Sequence, residues 1–151
     1  MWIATPSSVE LEAGLETQVD ELQVQQVVIN LLRNALEAMD GCATKRLVIT
    51  CQKQGDQAVV RIQDSGAGIA EADRTNLFEP FVTTKAYSMG IGLAISRTIV
   101  EANGGTLWAE HPEDGTVFCF TLPLAVQAEP GPEAGARTFG KAPPGEHRAA
   151  A

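Results

Sequence analysis

The sequence predicts an α+β domain, a two-layer sandwich in which a mixed, mostly antiparallel sheet packs on about three helices. Three observations carry that expectation. One apolar pattern at helical spacing runs from just after Asp20 to about Met39, and a second runs from Ile91 to Ala102. Two further stretches alternate apolar and polar residues, and each folds back on itself across a tight turn. Adjacent strands joined by tight turns pair antiparallel, and one face of such a sheet needs helices to cover it.

Taken in order, Val9 to Glu12 and Leu15 to Val19 read as short strands flanking a turn at Gly14, so the sheet opens with a strand or a strand pair. Asp20 stands at an N-cap position, where its carboxylate can accept from an orphan N–H of the first turn. At ~100° per residue, Val24, Val27, Val28, Leu31, Leu32, Ala35, Leu36 and Met39 fill one broad apolar stripe. Gln26, Asn30, Arg33, Asn34 and Glu37 fall on the other side, Asn34 nearest the stripe's edge. Asn is a poor helix former because its side chain competes for backbone hydrogen bonds. Two of them one turn apart suggest a task beyond helix formation.

Leu47 to Lys53 and Ala58 to Gln63 alternate around Gln54-Gly55-Asp56, which makes a hairpin. Glu71 to Phe78 reads as a short helix and Phe81 to Met89 as a loop. In the second long helix Ile91, Ala94, Ile95, Thr98, Ile99 and Ala102 share the apolar face, and Asn103-Gly104-Gly105 closes it. Thr106 to Glu110 and Thr116 to Leu122 form a second hairpin across Pro112 to Gly115. Beyond Pro123 the chain turns to Ala, Pro, Gly and Glu, so residues 1–123 read as one domain and 124–151 as a disordered tail.

Composition narrows the function. Eleven Lys and Arg against 19 Asp and Glu give a formal charge of −8, with no basic stripe for a nucleic acid. No run approaches the roughly 20 apolar residues that span a bilayer, and no signal-peptide pattern opens the chain, which points to a cytoplasmic domain without membrane contact. Cys42, Cys51 and Cys119 show no CxxC spacing and read as reduced, mostly buried thiols. His111 and His147 are too isolated for a metal cluster. An acidic chain still binds a polyphosphate where the anion meets a metal ion, a few cations and backbone N–H groups.

Three motifs supply such parts. Asp64-Ser-Gly-Ala-Gly-Ile69 follows a strand: Gly66 and Gly68 admit a close backbone approach, and Asp64 can accept from an exocyclic amine such as that of adenine. Gly90-Ile-Gly-Leu93 opens the second long helix, where free N–H groups and the positive end of the dipole suit phosphate. Between them, Phe78 and Phe81 flank Pro80 and pin a loop that carries Lys85, a point charge for a terminal phosphate.

With Asn30/Asn34, Asp64/Gly66/Gly68, Phe78/Phe81/Lys85, Gly90/Gly92 and Gly115-Thr116 in that order, the chain resembles the GHKL (HATPase_c) superfamily of ATP-binding domains over roughly residues 5–123. Within it the chain is similar to sensor histidine kinases, and the short stretch from Phe78 to Gly90 looks most like the oxygen-sensing (FixL-like) and dicarboxylate-sensing branch. The resemblance implies the Bergerat ATP-binding fold and Mg-ATP as ligand. It implies that Asn34 holds Mg²⁺, that Asn30 supports the phosphates and that Lys85 reaches the terminal phosphate, these three being the catalytic set. Asp64, Gly66, Gly68 and Ile69 would take the adenine, Gly90, Ile91, Gly92 and Leu93 the phosphates, and Thr116 the adenine floor.

Two departures shape the function. The gyrase, MutL and Hsp90 branches hold a Glu where this chain has Asn30, and an amide cannot act as a carboxylate base. That favours phosphoryl transfer over hydrolysis, with Glu37 left as a candidate base beside its alternative as a surface partner of Arg33. Neither histidine has the helical setting of a phosphoacceptor, which places the acceptor His on a dimerisation domain absent from this chain, with a response regulator downstream. A GHKL-type ATPase and a non-catalytic nucleotide-binding module are the alternatives.

Overall fold

The computed structural model describes residues 8–80 and 91–125. The elements are β1 (Ser8–Leu11), α1 (Glu21–Ala38), β2 (Leu47–Gln54), β3 (Gln57–Asp64), α2 (Glu71–Arg74), α3 (Gly92–Ala102), β4 (Leu107–Glu110) and β5 (Thr116–Pro123). They build a five-stranded sheet in the order β1-β2-β3-β5-β4. The tight turns make β2–β3 and β4–β5 antiparallel, and β3–β5 is antiparallel as well. β1 runs parallel to β2, because the chain returns to the sheet only after α1. The α+β expectation holds.

Asp20 caps α1 as its position suggested, its carboxylate accepting from the Gln23 N–H at 3.1 Å. Alternation in the hairpins turns Leu47, Ile62, Leu107, Phe118, Phe120 and Leu122 to the helix side, where they meet Val27, Leu31, Ala35 and Met39 of α1 and Val100 of α3. Fully burying each such side chain contributes roughly 1.5–3 kcal/mol, which is what fixes the helices on the sheet. On the opposite face Cys119 lies in register with Trp108 and Arg61, under a bidentate Arg61–Glu110 pair at 2.6 and 3.2 Å. Burial pushes the Cys119 thiol up to about 11.

Several expectations need correction. Leu15 to Val19 is not a strand: only Thr17 makes an isolated antiparallel bridge, to Leu124. The helix expected over Glu71 to Phe78 is one turn, Glu71–Arg74, without a side-chain cap at Ala70. Cys42 and Cys51 are half-buried, so only Cys119 is the buried thiol. In α3 the inward face is Ser96 and Val100, with Leu93 and Ile99 partly buried against the core, while Ile95 is 42% exposed. The apolar stripe of α1 also overreaches, since Leu36 is 37% exposed.

Candidate functional site

The site grows from the contact between α1 and α3. Asn30 is not on a solvated face: it is 6% exposed, and its Nδ2 donates to the Ser96 Oγ at 3.1 Å and the Gly92 carbonyl at 3.3 Å. Its Oδ1 lies 3.5 Å from the Gln26 Nε2. One turn on, the Asn34 Nδ2 donates to the Asn30 carbonyl at 2.9 Å, a back-bond that turns the amide along the helix. Both asparagines thus commit their nitrogens to protein oxygens.

Another turn along α1 stands Ala38, which receives the loop after β3. The Ala67 N–H donates to the Ala38 carbonyl at 3.3 Å, and a Cβ on Gly66 would overlap that same oxygen and sit 2.6 Å from its carbon. Only glycine permits this approach. Asp64 ends β3 almost fully buried, with Oδ1 accepting from the Gly66 N–H at 2.8 Å. It pairs across the sheet with Thr116, itself buried at 2% exposure. Gly115 has φ +96°, and a Cβ there would overlap the Asp64 carbonyl oxygen. Gly68, at φ +82°, would place a Cβ 3.5 Å from the Gly115 oxygen.

A continuous arc therefore links Gly92, Asn30, Asn34, Gly66, Asp64, Thr116 and Gly68. Ile69, Leu77, Phe78 and Leu93 pack on the core beside it. Phe78 meets Phe118 edge-on at 6.4 Å, with the Arg97 guanidinium 5.4 Å from its ring centre. α3 starts after Ile91 with no side chain among the described residues capping its first N–H groups. Phe81, Lys85 and Gly90, with the loop expected from Phe81 to Met89, lie outside the described residues, as do His147 and residues 126–151.

His111 follows β4, and its Nδ1 is buried without a hydrogen-bond partner among the described residues. Burial, then the Arg74 charge, lowers its pKa. No cluster of three or more His, Cys, Asp or Glu that could hold a metal occurs among the described residues. A groove lined by Val19, Val24, Val28, Ile29 and Leu122 shares no residue with the arc.

Ser96 is the site-forming residue that sequence reasoning missed. The signal was Leu93, Ser96 and Val100 at helical spacing, a polar residue within a second possible apolar face.

The family description "Histidine kinase-, DNA gyrase B-, and HSP90-like ATPase" matches residues 19–126. The chain is 47% identical over 108 residues to Sensor protein FixL of Bradyrhizobium diazoefficiens, covering 70% of this chain and 21% of that protein. It is 38% identical over 112 residues to the C4-dicarboxylate transport sensor protein DctB of Rhizobium meliloti, covering 74% and 18%. The chain thus spans about a fifth of these relatives' length. The catalytic domain of histidine kinase ThkA superposes with a TM-score of 0.69 at 36% identity, covering 77% of this chain and 76% of that one. ThkA in complex with the response regulator protein TrrA matches at 0.66 and 32%, covering 79% and 34%. With the fold, the asparagine helix and the glycine loops in agreement, the chain belongs to the histidine kinase-, DNA gyrase B- and HSP90-like ATPase family and is similar within it to the catalytic domains of sensor histidine kinases.

Proposed function

We propose that this chain binds Mg-ATP along the arc from Gly92 to Gly68 and serves as the catalytic domain of a sensor histidine kinase. The observation that carries the reading is Asn30, a buried amide bonded to the first turn of α3 where hydrolase branches would need a carboxylate. Asp64 accepts from the adenine amino group, with Thr116 below it and Gly66 and Gly68 admitting the ring. The first turn of α3, with Gly90 before it, receives phosphate, and Lys85 neutralises its far end.

The donor set suits Mg²⁺: the amide oxygen of Asn34, whose nitrogen donates to the Asn30 carbonyl, would supplement phosphate oxygens, as a hard cation with few protein ligands requires. When bound, the ion supplies charge neutralisation to the phosphates. The residues of this chain hold the nucleotide in place, and positioning is the larger share of catalysis in phosphoryl transfer.

The acceptor is a His on a dimerisation domain of the same polypeptide, outside this sequence. A response regulator acts downstream, which the ThkA–TrrA complex supports. A cytoplasmic setting fits the lack, among the described residues, of any helix long and apolar enough to cross a membrane.

Incubating the chain with γ-labelled Mg-ATP, with and without a separate His-bearing helical segment, tests this. Acid-labile label on the segment is expected. Phosphate release without the segment would make the chain an ATPase, and neither result would leave a binding module.

A further inference from the structure

We infer that the C-terminal segment Arg137-Thr-Phe-Gly-Lys141 docks on its own domain, with the Phe139 ring in the groove beside the start of α1 and the two cations against the acidic rim. The groove is lined by Val24, Val28 and Ile29 of α1, Leu122 of β5, and Thr17 and Val19 from the connection before the helix. Val24, Val28 and Ile29 stand roughly 100–160° around α1 from Asn30, which faces α3, so α3 leaves this flank uncovered. Ile29 is accordingly 51% exposed, and Leu22, two turns before it, is 76% exposed.

The chain itself leads to this groove. Leu124 bridges to Thr17, and the Ala125 N–H donates to the Glu16 carbonyl at 2.7 Å. Ala125, the last described residue, therefore lies beside the groove's edge with 26 residues still to follow. Phe139 comes 14 residues later, and a flexible chain of that length averages about 20 Å end to end, enough to return to the groove. So short a tether keeps the ring near the groove at an effective concentration in the mM range, so that a weak anchor suffices.

Phe139 is the one large apolar side chain between residues 127 and 151. A composition that cannot build a core still supplies one aromatic anchor. Arg137 and Lys141 flank it two positions to either side. The rim they meet has the opposite sign: residues 8–32 hold Glu10, Glu12, Glu16, Asp20 and Glu21 and no Lys or Arg, and Glu21 lines the groove.

The test records NOEs and methyl shifts in the full 151-residue chain, labelled at its isoleucine and valine methyls. A contact between the Phe139 ring and the Ile29 δ1-methyl is expected, equally strong at every protein concentration. Phe139→Ala should abolish it and shift the Ile29, Val24 and Val28 methyls, while those of Ile62 and Val100 stay in place and report an intact core. Arg137→Glu with Lys141→Glu should weaken the contact, and so should salt near ~1 M, where screening shortens the reach of charges to about 3 Å.

No contact between the ring and Ile29, or groove methyls that ignore Phe139→Ala, would overturn the inference. So would a contact that strengthens with protein concentration, which would put the ring on a second copy, or one that survives both charge reversal and salt. None of these outcomes bears on the Mg-ATP reading, because the docking rests on the fold alone.

Discussion

Replacing Asn30 by Asp keeps the size of the side chain and reverses the chemistry of one end. The nitrogen now lies 3.3 Å from the Gly92 carbonyl and 3.1 Å from the Ser96 hydroxyl. A carboxylate oxygen in its place can still accept from the hydroxyl, which rotates, but it faces the carbonyl acceptor to acceptor. One hydrogen bond is lost and a charge is added at a position 6% exposed. An unsatisfied buried group costs about 1–3 kcal/mol, more when charged, so Asn30→Asp should destabilise the domain by about 3 kcal/mol near neutral pH. At about 4–8 °C per kcal/mol for a domain of ~100 residues, the melting temperature should fall by about 12–24 °C.

The pH dependence follows from the same geometry. Burial and the facing carbonyl raise the folded pKa of the introduced carboxyl above its unfolded value of about 4. The protonated form can donate to the Gly92 carbonyl. Stability is therefore retained below the unfolded pKa and lost as the pH rises through the folded one. Melting curves followed by circular dichroism at several pH values check this, with the gap to wild type closing toward pH ~4. A variant that melts within about 2 °C of wild type near neutral pH, or a gap that ignores pH, would refute the buried contact.

Asp64→Asn should leave the fold intact, because an amide oxygen can still accept from the Gly66 N–H. It should weaken ATP by about 1.5–3 kcal/mol, the range for a hydrogen bond to a charged group, and unchanged discrimination between ATP and GTP in titration would remove Asp64 as the purine reader. Gly66→Ala drives a Cβ into the backbone of Ala38, which has no flexible end to yield, so a loss of about 1–3 kcal/mol in denaturant unfolding is expected and an unshifted midpoint would contradict the packing. The Arg61 guanidinium, then the Trp108 indole, hold the Glu110 carboxyl below its usual 4.5. A depressed folded pKa stabilises above the unfolded value and loses that contribution as the pH falls through the folded one. Glu110→Gln should melt slightly below wild type near neutral pH, by less than about 1 kcal/mol because both side chains are substantially exposed, and level with it well below pH 4.5; a deficit persisting in acid would sink the ion-pair account.

Periodicity located what depends on one element and its immediate cover. The cap at Asp20, the length of α1 and both hairpins were legible because each follows from local chemistry: a side chain accepting at a helix start, or alternation across a glycine turn. The loop around Asp64 was legible only in part: its glycines mark a close backbone approach, expected toward a ligand, and the one Gly66 makes is to the Ala38 backbone. The single-turn α2 and the lost strand at Leu15 to Val19 show the limit of short patterns, where one or two apolar residues decide nothing.

The misplaced faces of the two long helices have one common cause. A helical wheel assigns a single buried side, whereas α1 is covered on two, by the sheet and by α3. Asn30 therefore fell opposite the apolar stripe of α1 and Ser96 outside the apolar face of α3, although each satisfies the other across a separation of 66 residues. Considered alone, Asn30 violates the apolar rule for a buried face, and so does Ser96; considered together they cancel, because a buried donor and a buried acceptor need each other. The same partnership explains why Ile95, with the larger apolar side chain, is the residue left outside. Rotating α3 to bury Ile95 would withdraw Ser96 and leave the Asn30 amide without that acceptor. The polar pair, together with Val100, Leu93 and Ile99 on the same side, sets the phase of the helix whose first turn meets Asn30.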